Sequence, residues 1–320
     1  MPNLKDFLTN VNSVCISGHI HPDGDCVGST LGLYTYLRKN FPEIETNLYL
    51  EEPTEKLKFL NGFDEIISDY PDHAPYDIMF CLDSASFDRI GRAKKYFEEA
   101  KRTVNVDHHI SNTLFAEENF VDGSSSSASE EIYKMMDPSL LDHDTAVALY
   151  TGIVYDTGVF KYSCTSPLTM SIVGELMKHD IPAEEIIDDS FYAKTFEENR
   201  IFGYAIVKSA LAHDGKMIYS TISKKEMKEF NVSSKELDGI VSQLRLTKGV
   251  LTAAFLYETP SGDIKLSLRS SGPFDVNRIA VRFGGGGHIH ASGALMKGNL
   301  EECVETIVEA VGKELEEQLH

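Results

Sequence analysis

CISGHIHPDGDCVGST, residues 15–30, is the stretch around which the first half of the chain is organised. It carries His19, Asp23 and Asp25 in the pattern H-x-x-x-D-x-D. A short apolar run precedes these side chains, and residues 28–39 have the apolar spacing of an amphipathic helix. We therefore predict a strand, a loop that carries the three side chains, and a helix. In α/β proteins, binding sites are built on loops of this kind.

Acidic and imidazole side chains also follow two later predicted strands. The strand over residues 76–81 runs into Asp83, and the strand over residues 103–106 runs into the sequence DHH. Strands separated by helical segments indicate an α/β fold with a parallel sheet, whose ligand site lies beyond the carboxyl ends of the strands. The candidate site residues expected at this edge are His19, Asp23, Asp25, Asp83, Asp107, His108, His109 and Asp156.

Several carboxylates in one crevice point to bound cations. They would repel one another, and some would remain protonated, unless divalent cations removed this penalty. A two-metal site needs a set of oxygen and nitrogen ligands of this kind, one of them bridging. Carboxylate and imidazole ligands without thiolate suit Mn, Mg, Co or Fe. A single Asp after a strand is as readily a helix cap or a turn residue, so the joint pattern carries the prediction.

Length, composition and charge restrict the class of protein. The chain has 320 residues, of which 42% are hydrophobic and 25% charged, as expected for a globular protein with two domains. Its formal net charge is -20, whereas proteins that bind long nucleic acids are normally basic, so a short ligand is expected. No apolar run approaches the roughly 18 residues that span a membrane. The absence of a signal-peptide pattern and the five scattered cysteines predict a cytoplasmic protein with no membrane partner.

The middle of the chain contains a serine run with two interpretations. DGSSSSAS, residues 122–129, is either a flexible loop, which we favour, or the cap of a helix near residues 128–136. A second helix is predicted over residues 144–154 and runs into YDTG. This motif contains Asp156 and then Gly158, which is a natural helix stop.

Two domains joined by a linker are expected. Residues 1–185 form the predicted metal-binding catalytic domain, and residues 186–210, which lack a strand signal, form a helical linker. Residues 211–320 form a smaller α/β substrate-binding domain with a hairpin turn at residues 260–262 and the sequence GGGGH at residues 284–288. A glycine run lets backbone N–H groups approach a phosphate, although flexible loops use it too.

The motifs HIHPDGD, LDSASFD, VDHH and YDTG, in that order, resemble those of the DHH phosphoesterases. The later GGGGH resembles the signature of their DHHA1 companion domain, so the resemblance covers almost the whole chain. It implies an N-terminal parallel-sheet DHH domain with helices on both faces and a smaller C-terminal α/β DHHA1 domain. A chain of this size looks most like the bacterial nano-RNases that also hydrolyse 3'-phosphoadenosine 5'-phosphate.

The resemblance implies a role for each motif residue. His19 and Asp23 would hold one metal ion, and Asp83 would bridge it to a second. The other ligands of the second metal would be Asp25, His108 and Asp156. Asp107 would orient the histidine, and Asp83, Asp107 and His109 would be the catalytic residues. The implied substrate contacts are His109, Arg269, Gly285, Gly286, Gly287 and His288.

Four further residues allow two interpretations each. His21 stands where the family commonly has Asn, and it is either an extra ligand or, as we favour, a hydrogen-bond donor to a ligand. Cys26 stands where Ala is common, and it is either oxidisable or, as we favour, a small buried residue. Arg278 and Arg282 form either a cationic patch beside GGGGH or, as we favour, a solvated helix face.

The resemblance implies a cytoplasmic phosphohydrolase with two divalent metal ions, for which we expect Mn²⁺. It would cleave short oligoribonucleotides to nucleoside 5'-monophosphates, remove the 3'-phosphate of 3'-phosphoadenosine 5'-phosphate, or do both. One alternative is a phosphodiesterase for dinucleotides derived from cyclic di-AMP, and another is a non-catalytic nucleotide sensor. Pyrophosphatase and exopolyphosphatase activities are less favoured. The expected partner is a short nucleotide rather than a long nucleic acid, and a homodimer is compatible with the sequence.

Overall fold

A computed structural model of the chain describes residues 2–319 and contains two compact units, which divide between Ala193 and Lys194. Residues 186–210, predicted as a separate linker, are shared between these units. Their largest helix buries Ile201 and Ala205 in the core of the second unit, so it is an integral part of that unit.

The first unit is built on a five-stranded sheet. Its strands are β1 Ser13–Ser17, β2 Glu45–Tyr49, β3 Ile78–Leu82, β4 Thr103–Asp107 and β5 Glu118–Val121. They lie in the order β2-β1-β3-β4-β5, and all neighbouring pairs are parallel, as predicted. The short edge strand β5, which is half-buried throughout, was not predicted because ENFV is too short and too polar to show a clear pattern.

Helices cover both faces of this sheet. They are α1 Leu4–Phe7, α2 Gly24–Asn40, α3 Lys94–Glu99, α4 Ala128–Met135, α5 His143–Asp156, α6 Pro167–Leu176 and α7 Ala183–Ile187. The α2, α4 and α5 helices pack on one face, and Tyr96 of α3 packs on the other. Helices α2 and α5 approach closely because Gly28 has no side chain: a methyl group there would lie 2.6 Å from the Ala148 carbonyl oxygen. This approach brings the start of α2 and the end of α5 together.

Two local predictions in the first unit were wrong. Helix α2 begins four residues earlier than predicted because the Asp23 carboxylate accepts hydrogen bonds from the N–H groups of Asp25 and Cys26. Asp25 therefore lies in the first turn of a helix and not on a loop. The serine run is not a flexible loop: Ser126 is buried, and Ser127 caps α4 by accepting a hydrogen bond from the Glu130 N–H at 3.0 Å.

The second unit contains a mixed sheet in the order β10-β11-β9-β8-β7-β6. Its strands are β6 Ala210–Ala212, β7 Met217–Ile222, β8 Thr252–Glu258, β9 Ile264–Ser270, β10 Gly286–His288 and β11 Ala291–Met296. Its helices are α8 Phe196–Val207, α9 Lys224–Glu229, α10 Ile240–Arg245, α11 Asn277–Arg282 and α12 Leu300–Leu319. The α11 and α12 helices pack on one face, and α8 and α10 pack on part of the other. None of the helices between residues 2 and 319 combines the length and apolarity needed to cross a membrane.

Candidate metal centre

The predicted ligands of the first unit meet at the carboxyl edge of its sheet. His19 follows β1, Asp83 follows β3, and His108 follows β4. Asp25 and Asp156 reach the same edge from helices, the first turn of α2 and the last residue of α5. Asp156 thus lies at the end of the predicted helix, whereas Asp25 was expected on the loop before α2 and lies in its first turn.

Asp83 lies at the middle of the cluster. Its Oδ2 atom is 3.3 Å from Nε2 of His19, and its Oδ1 atom is 3.4 Å from Nε2 of His108. The side chain is buried, and the backbone has a φ of +52°, an uncommon value for a residue with a side chain. Within residues 2–319, Asp83 Oδ1 and His108 Nε2 are buried without a hydrogen-bond partner. Unpaired buried polar atoms of this kind fit a bound cation.

The two histidines lie in different carboxylate environments. His19 Nε2 is 3.7 Å from Oδ2 of Asp23, the half-exposed cap of α2. His108 Nε2 is 3.1 Å from Oδ2 of Asp156 and 3.9 Å from Oδ2 of Asp25. The cluster thus has two halves that share Asp83, which is the arrangement that two cations with one bridging ligand require.

Asp25 is fully buried and is held by the amino end of α4. Its Oδ2 atom accepts a hydrogen bond from the Ala128 N–H at 2.6 Å, and its Oδ1 atom accepts one from the Ser129 N–H at 3.0 Å. The serine run therefore folds into a cradle for a carboxylate of the metal centre, a role that we did not predict.

Asp107 and His109 form a hydrogen-bonded pair at the outer side of the cluster. Asp107 Oδ1 accepts a hydrogen bond from Nδ1 of His109 at 2.7 Å, and Asp107 Oδ2 accepts one from the Asn112 amide at 2.5 Å. Because Asp107 is buried whereas His109 is 42% exposed, the carboxylate fixes a ring whose other edge faces solvent.

The residues predicted to contact substrate in the second unit share one face of its sheet. Ala291 lies opposite Arg269 on one side and opposite His288 on the other, so these two side chains project from the same face. The glycine run is explained mainly by local packing. Gly284 has a φ of +72°, and a methyl group at Gly285 or Gly287 would collide with the backbone of β11. A methyl group at Gly284 would meet no atom within 4 Å, and one at Gly286 would lie 3.9 Å from the Asn277 amide oxygen, so packing does not exclude a side chain at either position.

Comparison with known families identifies both units. Residues 13–153 match the model of the DHH family, N-terminal domain, and residues 214–317 match that of the DHHA1 domain. The chain belongs to the DHH family of phosphoesterases. Enzymes of this family depend on metal ions, and the acidic and histidine cluster of this DHH protein provides a possible metal site.

Relatives of this DHH protein match it over nearly their full length. A Thermus thermophilus protein named bifunctional oligoribonuclease and PAP phosphatase NrnA is 29% identical over 307 residues, which cover 94% of this chain and 90% of that protein. A Bacillus subtilis protein of the same name is 28% identical and covers 88% of this chain and 89% of its own length. The solved structure of an exopolyphosphatase-related protein from Bacteroides fragilis superposes with a TM-score of 0.83 at 28% identity, covering 97% of this chain and 94% of that one.

The imidazole and carboxylate groups of the cluster shift one another's pKa values. Burial opposes a charge on His19, but the nearby carboxylates of Asp23 and Asp83 outweigh it and raise its pKa to about 10. Burial likewise opposes a charge on His108, and the carboxylates of Asp156 and Asp83 raise its pKa to about 12. Burial would raise the pKa of Asp83, but its two imidazole partners lower it. For Asp25, burial and the neighbouring carboxylates act together and raise the pKa.

The two residues that depart from the family pattern have different surroundings. His21 is 86% exposed, and its Nδ1 atom is 3.4 Å from Oε2 of Glu51. Its ring therefore faces a surface carboxylate rather than the cluster. Cys26 is fully buried, as we favoured, and burial together with the charges of Asp83 and Asp23 raises the pKa of its thiol. A methyl group at Gly18 would lie 2.2 Å from its Sγ atom, so the thiol fills a tightly packed space.

Three arginines have partners that the sequence did not indicate. Arg278 and Arg282 lie on an exposed helix face, as we favoured, and also form ion pairs with the buried Glu314 of α12. They therefore attach α11 to α12 and do not form a cationic patch. Arg89 was not predicted as a site residue, yet its Nη2 atom lies 3.2 Å from Nδ1 of His19. Its position directly after the motif LDSASFD does not by itself indicate a contact with His19, because Arg92, Lys94 and Lys95 follow closely.

Proposed function

We propose that this DHH phosphoesterase uses two Mn²⁺ ions to cleave short oligoribonucleotides to nucleoside 5'-monophosphates and to remove the 3'-phosphate of 3'-phosphoadenosine 5'-phosphate. The observation that carries the proposal is the position of Asp83, which directs one carboxylate oxygen toward His19 and the other toward His108. The names of the Thermus thermophilus and Bacillus subtilis relatives support this choice of substrates.

In this proposal each cation has its own set of residues. His19 and Asp23 would hold the first cation, and Asp83 would serve both. The remaining ligands of the second cation would be Asp25, His108 and Asp156. Bound divalent cations lower the pKa of a coordinated water and neutralise charge that develops on a phosphoryl group.

The protein's own groups orient the substrate phosphate. Asp107 accepts the hydrogen on Nδ1 of His109 at 2.7 Å, so the exposed edge of the ring presents Nε2. The hydrogen bond and charge of Asp107 raise the pKa of His109, which favours the imidazolium form. His109 then donates a hydrogen bond from Nε2 to a phosphate oxygen. Asp107 is the residue that positions this donor.

The DHHA1 domain supplies the remaining contacts. Arg269 and His288 lie on one face of its sheet and bind the nucleotide, together with the backbone of Gly285, Gly286 and Gly287. This surface offers few cationic side chains, and the whole chain has a net charge of -20. Such a surface meets a small number of phosphates, which favours substrates of a few nucleotides over long strands.

A direct test is turnover by the Mn²⁺-loaded protein of a linear diadenylate and of 3'-phosphoadenosine 5'-phosphate. We expect both to be hydrolysed, and Asp83→Asn to lower kcat by roughly a thousandfold or more, since it removes a charge that faces both cations. Asp88→Asn is the matched control, because Asp88 follows the same strand but is 91% exposed and pairs with Lys94. Absence of turnover of both substrates by the metal-loaded protein would contradict the proposal.

A further inference from the structure

Arg89 occupies a special position beside the metal centre. It lies in the 3-10 segment Phe87–Ala93, which follows β3 and Asp83. Its side chain is exposed, and its Nη2 atom is 3.2 Å from Nδ1 of His19. It therefore places a permanent positive charge at the solvent side of a cluster that consists otherwise of carboxylates and imidazoles.

The backbone around Arg89 is attached to the loop that carries His19. The Arg89 carbonyl oxygen accepts a hydrogen bond from the Ile20 N–H at 2.7 Å, and the Arg89 N–H donates to the Ser86 carbonyl oxygen at 3.0 Å. Gly91 has a φ of +54°, and a methyl group there would lie 2.4 Å from Cγ2 of Ile20. These contacts fix the backbone of Arg89 beside the loop that carries His19, so that its side chain starts next to the candidate metal centre.

The guanidinium group has no acceptor in this position. His19 Nδ1 lies 2.8 Å from the Ile20 carbonyl oxygen, which can only accept, so Nδ1 carries a hydrogen atom. A protonated Nδ1 cannot accept a hydrogen bond from Arg89. Among residues 2–319, no carboxylate lies within 4.0 Å of the Arg89 guanidinium, and the adjacent Asp88 pairs with Lys94 instead. A planar guanidinium group whose N–H donors lack an acceptor suits a phosphate group, which can accept two parallel hydrogen bonds from it.

We propose that Arg89 is a phosphate-binding residue of this site and that it donates hydrogen bonds to non-bridging oxygens of the phosphate group that is attacked. This inference rests on the proposed function, because it assigns the anion to the substrate. The competing explanation is that Arg89 only positions His19. The two explanations predict different losses on substitution. If Arg89 binds phosphate, its removal weakens anion binding. If Arg89 only positions His19, its removal weakens metal binding.

The test compares Arg89→Gln and Arg89→Lys with the matched control Arg92→Gln. Arg92 lies in the same segment but stacks on Tyr70, with its guanidinium 4.7 Å from the ring centre. Calorimetry would measure the affinity for Mn²⁺ alone, and then the affinity of the Mn²⁺-loaded protein for AMP and for inorganic phosphate. We expect Arg89→Gln to weaken anion binding by roughly tenfold or more and Arg89→Lys to weaken it less, with Mn²⁺ affinity unchanged within about twofold.

Each outcome bears on the inference separately from the proposed function. Weakened Mn²⁺ binding with unchanged affinity for AMP and phosphate in Arg89→Gln would overturn it, as would unchanged affinities for all three ligands. The Arg89→Lys variant keeps the charge and provides the same comparison if Arg89→Gln does not fold. Failure of the wild-type protein to hydrolyse either nucleotide substrate would contradict the proposed function, but the anion and metal affinities would still decide the role of Arg89.

Discussion

Gly152 and Gly174 both lie inside helices of the first unit, but their surroundings differ. A methyl group at Gly152 would lie 2.0 Å from Oγ of Ser129 and 2.7 Å from Oδ1 of Asp25. At Gly174 a methyl group would meet no atom within 4 Å. The glycine in α5 is thus required by the carboxylate cradle beside it, whereas the glycine in α6 is not required by any contact.

We therefore predict opposite effects for the two alanine substitutions. Gly152→Ala should push Asp25 and Ser129 apart, lower stability by roughly 1–3 kcal/mol and weaken Mn²⁺ binding. Gly174→Ala should leave Mn²⁺ binding unchanged and raise stability by about 0.5–1 kcal/mol, because alanine favours the helix. Chemical denaturation and metal titration of both variants check this prediction. Equal metal affinities in the two variants would contradict the role assigned to the cradle.

Individual residues of the centre were predictable where they follow strands, and less so elsewhere. His19, Asp83 and His108 stand at the ends of apolar strands, so the sequence alone places them at one edge. Arg89 depends on a short 3-10 segment folding back onto the loop of His19, and no local pattern encodes that contact. The cradle for Asp25 similarly depends on a pairing between α2 and α4 that lie far apart in the chain.

At the scale of secondary structure elements, α9 is held by a partly buried carboxylate in its first turn. Glu226 accepts hydrogen bonds from the Ser223 N–H at 2.7 Å and from Nζ of Lys208 at 2.5 Å. Burial alone would raise the pKa of Glu226, but these donors and the Tyr204 hydroxyl lower it to about 2. A carboxylate with a lowered pKa stabilises the folded state at pH values above its ordinary pKa. This contribution is lost as the pH falls toward 2.

Glu226→Gln should therefore reduce the stability of the second unit at pH 7 by roughly 1–3 kcal/mol. The difference from the wild type should shrink below pH 4.5, the ordinary pKa of this carboxyl, and disappear near pH 2. Glu229→Gln is the control, since Glu229 is 57% exposed and its nearest cation is 3.8 Å away. Thermal unfolding across this pH range measures the effect. A stability difference between the wild type and Glu226→Gln that grew toward low pH would contradict the prediction.

The elements themselves were predictable to different degrees. Strands β3 and β4 lie within about two residues of the predicted ranges 76–81 and 103–106 because their apolar residues form clear runs. The short elements β5, β6, β10, α9 and α10 were missed because three to six residues give too little periodicity. The start of α2 was missed because Asp23 was interpreted as a loop ligand, whereas the structure also uses it as a helix cap.

For the whole molecule, metal binding should be coupled to stability. A ligand that binds only the folded state stabilises it by about 2.7 kcal/mol at a hundred times its dissociation constant. Mn²⁺ should therefore raise the thermal midpoint of the wild type by roughly 5–10 °C, and a chelator should reverse the shift. Asp83→Asn should lose most of this shift, whereas Asp88→Asn should retain it. An equal shift in the wild type and in Asp83→Asn would locate the bound metal elsewhere.

The general architecture of the molecule could be predicted from the sequence, whereas the boundary between its two units could not. Strands that alternate with helices predicted the parallel sheet, and the family motifs predicted DHH and DHHA1 domains, which the family matches over residues 13–153 and 214–317 confirm. The extent of the first unit, to Ala193, was not evident because α7 and α8 both read as helical and only packing separates them.

The central claim is that the two oxygens of Asp83 face two cations. Anomalous diffraction from a Mn²⁺-soaked crystal tests it most directly, since each bound manganese gives its own peak. We predict two peaks, one on the His19 side of Asp83 and one on the His108 side, with the Asp83 carboxylate between them. A single peak, or peaks that do not contact Asp83, would contradict this account.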